Sequence, residues 1–295
     1  MPDTRYWTNG AGTGVVSTAS NWSPSGAPAA GDILILATAP TGATSTDIVG
    51  GNYSALGDIA EIRIGNGFNA SFGSSSSYVR IEASSVILDS GGPIFLDVEC
   101  AGASDKVVIN NTPFGTNAVK LRGDINELRV LQTVGTITIE STTANSTSSG
   151  YTEVDSIYMF STTGARMEVE TAVASIDEII LEGGKINNSA PAVTVNVYSG
   201  EFKQLSTGTI TTLNTYNKAF VSVEGSGTVT NLNMYEGYVM FSNNGSDGIT
   251  VTNCTVHSGV LDLMSSLRNV TFTNDILNKG GVLRPPLAST VSLAY

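Results

Sequence analysis

The strongest constraint on this chain is a short apolar pattern that keeps returning, at intervals of about twenty residues in its clearest stretch, a period that belongs to repeat arrays. Taking Ile59, Ile125, Ile176, Ile210, Val229, Val251 and Phe272 as starts, the residues three further on are Ile62, Leu128, Ile179, Leu213, Leu232, Cys254 and Asp275. All but the last are apolar. Eight past a start stands Gly67, Gly184, Gly237, Gly259 or Gly280, and two beyond the last four glycines stands Ile186, Val239, Leu261 or Val282. One short strand, one bend and another short strand satisfy this grammar.

The segments around Ile210, Val229, Val251 and Phe272 overlay on one another, with starts 19, 22 and 21 residues apart. They are rich in β-branched Thr, Val and Ile, and their alternation turns the apolar residue to one face and its flanking Thr to the other. Asn231, Asn253 and Asn274 fall at one phase of three successive segments. Asn accepts a left-handed bend, and its amides stack from strand to strand, so the spacing predicts an asparagine ladder at a corner. Upstream, Ile59-Ala60-Glu61-Ile62, Ile125-Asn126-Glu127-Leu128 and Ile176-Asp177-Glu178-Ile179 place Glu at that phase. Between Val79 and Ile109 strands are expected without a fixed register. Ser74–Ser77 and 142–150 read as loop insertions suited to partner contact.

No long 3.6-residue periodicity runs through the body, and dense Asn-Gly hairpin signals are absent, which favours parallel stacking over antiparallel sheets. A β-sandwich or jelly roll also accommodates short β-rich repeats and stays open as an alternative. Repeats bury themselves against their neighbours, so 295 residues do not require a conventional domain split. The expected organisation is an N-terminal cap over 1–54, a body over 55–284 and an extended tail over 285–295. Arg284-Pro285-Pro286 ends the pattern, and the tail is expected to leave the stack and dock through Leu287, Val291, Leu293 and Tyr295.

Charged residues make up only 14% of the chain, against about 25% in ordinary globular domains, so the surface is expected to be hydroxyl- and amide-rich. The net charge of -12 repels phosphate backbones and anionic headgroups, so neither nucleic acid nor membrane is expected as a partner. No run of 18 apolar residues occurs, which excludes a transmembrane helix, and Met1–Trp7 lacks the features of a secretory signal. Synthesis in a cytosol is therefore expected, followed by retention or incorporation into a particle. Cys100 and Cys254 read as small core residues and the lone His257 as a repeat-surface residue. No cofactor and no metal are expected.

The first 36 residues differ in kind. They carry both tryptophans, in Tyr6-Trp7-Thr8-Asn9-Gly10 and Thr18-Ala19-Ser20-Asn21-Trp22-Ser23, followed by Pro28 and by Gly31-Asp32-Ile33-Leu34-Ile35-Leu36. A solenoid needs such a cover over its first rung. In order and spacing these blocks resemble the opening segment of many bacterial and bacteriophage right-handed β-helix proteins, including the leading repeats of autotransporter-like surface proteins. The resemblance implies an all-β, right-handed parallel β-helix (solenoid) and is mute on activity, because this architecture hosts lyases, adhesins and virion parts alike.

An enzymatic reading would be a polysaccharide hydrolase or lyase, needing two carboxylates about 5 to 9.5 Å apart, or a Ca2+ site. Strands one rung apart lie about 4.8 Å from each other, and Asp155 with the Asp177-Glu178 pair come closest to matching phase. No cation stands near them in sequence, so solubilising surface positions are the simpler reading. Tyr216, Tyr235, Tyr238 and Phe241 cluster late in the chain, as a sugar-stacking strip or as core and contact residues. The expectation is a non-enzymatic bacteriophage virion structural protein, foremost a capsid decoration or cement protein made in the host cytoplasm. Its partners would be capsid protein and copies of itself in a homotrimer, as the resemblance implies. The alternatives are a tail spike or fibre domain that binds or cleaves a host glycan, and a bacterial surface adhesin.

Overall fold

The structure, a computed structural model, describes residues 2–38, 47–53, 56–113, 118–140, 152–160, 164–171, 173–205, 207–242, 248–264, 270–285 and 291–293. The chain is all-β and is a parallel β-solenoid, with a 3-10 turn at Ala19–Asn21. It divides into two compact units, Met1–Val154 with Thr163–Ala165, and Asp155–Thr162 with Arg166–Tyr295.

The first unit holds β1 (Thr4–Trp7), β2 (Trp22–Ser23), β3 (Ile33–Thr38), β4 (Gly51–Asn52), β5 (Glu61–Gly67), β6 (Val79–Glu82), β7 (Ser85–Asp89), β8 (Ile94–Cys100), β9 (Lys106–Asn111), β10 (Val119–Val130) and β11 (Thr136–Ile139). Parallel pairing in the order β1, β3, β5, β7, β9, β10 stacks Leu34, Ile62, Val86, Val107 and Leu128 in one buried column. The register left open between Val79 and Ile109 is thereby settled. A second column runs through Ile59, Ala83, Cys100 and Ile125, all buried. Ala83 fits the apolar spacing but is too weakly apolar to stand out in sequence. At the start of the unit β2 pairs antiparallel with β1 and shields its outer edge, which would otherwise offer unpaired backbone groups. Trp7 and Trp22 are buried there edge to face, with ring centroids 5.0 Å apart, and the Trp22 indole Nε1 donates to the Val16 carbonyl at 2.7 Å. Ser74–Ser77 is a tight turn closed by a two-residue bridge. The expected insertion at 142–150 lies outside the described residues.

The second unit holds β12 (Glu153–Met159, from Asp155 on), β13 (Arg166–Val169), β14 (Ile176–Leu181), β15 (Lys185–Asn188), β16 (Ala192–Gln204), β17 (Ile210–Val223), β18 (Thr228–Met234), β19 (Tyr238–Phe241), β20 (Ile249–Val256), β21 (Val260–Asp262), β22 (Val270–Phe272), β23 (Ile276–Asn278), β24 (Val282–Arg284) and β25 (Val291–Leu293). Three inward columns define its turns. The first is Ile176, Ala192, Ile210, Val229, Val251 and Phe272; the second is Ile157, Ile179, Val195, Leu213, Leu232, Cys254 and Ile276. The third, on the next face, is Ile186, Phe202, Val221, Val239, Leu261 and Leu283. Each interior member is buried, and burying one such side chain contributes about 1.5–3 kcal/mol.

Within β14, β16, β17 and β18 two consecutive residues face outward between the first and second columns, as Thr230 and Asn231 do between Val229 and Leu232. This break in strict alternation explains the three-residue spacing read from the sequence. Four differences from that reading follow from the register. A whole turn at Ala192–Val197 lies between the Ile176 and Ile210 rungs, again hidden behind an alanine. Ile276, rather than Asp275, continues the second column, and Leu283, rather than Val282, continues the third. Asn231 and Asn253 lie inside β18 and β20 and do not adopt the left-handed bend; among described non-glycine residues only Asn9 and Asn217 have positive φ. Finally, Val291–Leu293 does not leave the stack: it pairs in parallel with Val270–Phe272, because an open strand edge takes up any extended segment in reach.

Bends are supplied by a different column. Gly184, Gly200, Gly237 and Gly259 have φ of +81°, +87°, +93° and +84°, a region that costs L side chains strain, and they turn the chain from the first two columns to the third. A Cβ on Gly259 would come within 2.4 Å of the Gly237 carbonyl oxygen. On β17 this position is Ala219, opposite Gly200, and the left-handed residue is Asn217 at φ +43°, where the pairing with β16 slips by one residue.

Candidate functional site

One residue beyond Val197, Thr215, Met234 and Val256 the chain emerges from the core just before this bend. Those emerging residues are Tyr198, Tyr216, Tyr235 and His257, and they form one row. Ring centroids are 4.6 Å apart for Tyr198–Tyr216, 5.0 Å for Tyr216–Tyr235 and 5.0 Å for Tyr235–His257, with interplanar angles of 10°, 3° and 15°. The spacing of the rings is the spacing of the rungs, so the backbone imposes the stack. Burial, and then the neighbouring phenols Tyr198 and Tyr235, push the Tyr216 hydroxyl above its ordinary value and keep it a donor.

A cleft of about 650 Å³ opens at this row where β17 carries its extra residue, lined by Glu182, Tyr198, Ser199, Asn217, Lys218 and Glu236. Glu182, Asn217, Lys218 and Glu236 are exposed, and Lys218 makes no ion pair with a described residue. The row ends at Tyr198: no described ring covers its other face, where the neighbouring rung presents Glu182.

The expected aromatic cluster therefore separates. Tyr216 and Tyr235 belong to the row, but Tyr238 lies past the bend on the next face, stacked on Phe220 at 5.5 Å and bonded through its hydroxyl to Asp262. Phe241 is a fully buried core residue packed edge to face on Phe272. Sequence reading missed Tyr198 and the part played by His257. The signal was there: Tyr198, Tyr216, Tyr235 and His257 are 18, 19 and 22 residues apart, the same steps as the apolar columns beside them.

Asp155 and Asp177 do reach equivalent positions on paired rungs, since Ser156 aligns with Glu178. Both are exposed, and burial followed by the Asp177 charge raises the pKa of Asp155. Glu178 is engaged elsewhere: it accepts from the Tyr158 hydroxyl at 3.1 Å and from Asn196 Nδ2 at 3.3 Å. It heads a ladder that continues through Asn214 to Asn196 at 2.8 Å and Asn233 to Asn214 at 3.0 Å. The predicted ladder is also present, with Asn253 donating to Asn231 at 2.8 Å and Asn274 to Asn253 at 2.7 Å. On the third face an alternating row joins Lys185 to Glu201 at 3.0 Å, Glu201 to Lys203 at 3.4 Å and Lys203 to Glu224 at 3.1 Å.

In the first unit Arg80 and Arg122 converge on buried Asp97 at 3.2 and 3.0 Å, and the Arg122 guanidinium lies 3.9 Å above the Tyr78 ring. Burial outweighs both arginines and raises the pKa of Asp97. Tyr78 and Lys120 both bond Glu140, and Arg80 also reaches Glu99 at 2.8 Å, so the charges around this dent satisfy one another. Cys100 and Cys254 are free and buried, and desolvation pushes both thiols up to about 12, which removes them as nucleophiles near neutrality. Among the described residues no group of three His, Cys, Asp or Glu is placed to hold a metal ion, and no helix is long and apolar enough to cross a membrane. Comparison with known proteins finds no matching family model, no matching curated protein and no matching solved structure.

Proposed function

We propose that this chain is a non-enzymatic structural protein of a bacteriophage particle, a stiff solenoid that decorates and cements the head by binding capsid protein and copies of itself. The observation that carries the scaffold reading is the outer surface of the second unit. Two asparagine ladders, an aromatic row and an alternating Lys–Glu row each bond one rung to the next. Side chains tied to one another along a stack resist bending, which is what a scaffold requires. Glu178, one of the three carboxylates the sequence offered for catalysis, is held inside such a ladder. The assignment to a phage particle rests on the resemblance of residues 1–36 to the opening segments of phage β-helix proteins.

Immunogold labelling of purified particles, with antibody against the whole chain, tests this reading. Label over the head is the expected result. Label confined to the tail would transfer the protein to the spike or fibre class, a second reading that the cleft at Tyr198 favours. Particles that lack the protein altogether would end both.

A further inference from the structure

We propose that the cleft beside Tyr198 is a saccharide-binding site, an inference that stands on the cleft alone and holds wherever on a particle, or off one, the protein sits. A sugar ring has an apolar C–H face and a rim of hydroxyls, and it is held by an open aromatic face with hydrogen-bonding groups around it. The long aromatic row does not supply this along its length, because neighbouring rings at 4.6–5.0 Å cover each other's faces. Only an end can do so, and of the two ends, Tyr198 and His257, the cleft lies at Tyr198. Tyr198 has one face stacked on Tyr216 and the other turned to the rung that carries exposed Glu182.

Around that ring stand groups of each kind a hydroxyl rim needs: carboxylate acceptors at Glu182 and Glu236, ammonium donors at Lys218, and groups that both donate and accept at Asn217 and Ser199. The cleft is a product of the fold rather than a chance dent. Asn217 is the extra residue on β17, its left-handed backbone replaces the bend glycine found on the other rungs, and it pushes Lys218 out beside Ser199. The volume of about 650 Å³ lies within the range of small-ligand sites and exceeds the need of a single sugar ring. Two carboxylates against one ammonium disfavour a phosphorylated or otherwise strongly anionic ligand, so the class is a neutral or amino sugar. Glu182 and Glu236 originate three rungs apart, about 14 Å along the stack, so they flank the cleft from opposite ends.

The test is the full-length protein on a microarray of bacterial surface polysaccharides, with free glucose, galactose and N-acetylglucosamine as competitors. Binding to at least one polysaccharide, competed by one of these monosaccharides, is expected. Glu182→Gln alters an exposed residue and leaves the strand stack intact, and Tyr198→Ala, checked by circular dichroism for retained β structure, removes the platform. Each should weaken binding about tenfold or more, the effect of losing one charge-assisted hydrogen bond or one stacking face. Asp155→Asn should leave it unchanged. An array with no signal, binding indifferent to both cleft variants, or binding lost in Asp155→Asn but not in Glu182→Gln would overturn the proposal.

Discussion

Arg5 and Asp32 show what a single buried charge pair does in a chain with few charges. Arg5 Nε donates to Asp32 Oδ2 at 2.6 Å, and the same carboxylate accepts from the backbone N–H groups of Asp3 at 2.8 Å and Ala29 at 3.0 Å. Burial pushes Asp32 up, but the Arg5 and backbone hydrogen bonds together outweigh it and hold the carboxyl below its ordinary value. A carboxylate lowered by folding adds stability that is complete above its unfolded pKa of about 3.9 and disappears as pH falls through the folded value. Asp32→Asn leaves buried Arg5 with only the exposed Asp3 carboxylate at 3.1 Å as an ionic partner, so urea unfolding of the first unit at pH 7 should show a loss of about 2 kcal/mol, the worth of a hydrogen bond between charged groups. At pH 2 the gap between variant and wild type should shrink. An equal gap at both pH values would remove the carboxylate from the account. Gly-Asp at 31–32 was read from the sequence as part of an opening motif, but its partner was not, since nothing in the spacing of Arg5 and Asp32 says that strands β1 and β3 lie side by side.

At the scale of single turns, the bend between faces is where backbone geometry selects the residue. Gly259→Ala puts a Cβ 2.4 Å from the Gly237 carbonyl oxygen and an L residue at φ +84°, and thermal unfolding should report a loss of about 2–3 kcal/mol. Asn217 sits in the same conformational region with an exposed side chain. Asn217→Gly should therefore unfold within about 0.5 kcal/mol of wild type, whereas Asn217→Val should lose about 1–2 kcal/mol. Equal stabilities for the two variants would show that the left-handed bend imposes no constraint. The glycine column was legible as a Gly eight residues past five of the seven starts. Asn217 was not, because a bulge is defined only by the strand beside it.

At the scale of a whole repeat array, each turn is stabilised by its neighbours, so protection against local opening falls toward a turn that lacks one. In the second unit no described strand pairs with the far edge of β23 or β24, and Leu277 and Val282 are 53% and 55% exposed. Amide hydrogen exchange should be slowest in β16–β18, faster in β20–β22 and fastest in β23 and β24. Uniform protection across these strands would mean that the unit opens all at once, and the nearest-neighbour description would fail.

What the sequence determined by itself was periodicity: the inward residues Ile176, Ile210, Val229 and Val251, the Asn231–Asn253–Asn274 ladder and the bend glycines all follow from strand alternation and a repeat length written into the chain. What only the tertiary structure decided was which residues at equal height are neighbours. Ala83 and Ala192 carry turns that an apolar search passes over, Ile276 rather than Asp275 completes a column, and Tyr198, Tyr216, Tyr235 and His257 become one row with a cleft at its end. The physical reason is that side-chain alternation acts along a strand and is local in sequence. Register acts between strands, and hydrogen bonding across each pair fixes it only when the turns between them have closed.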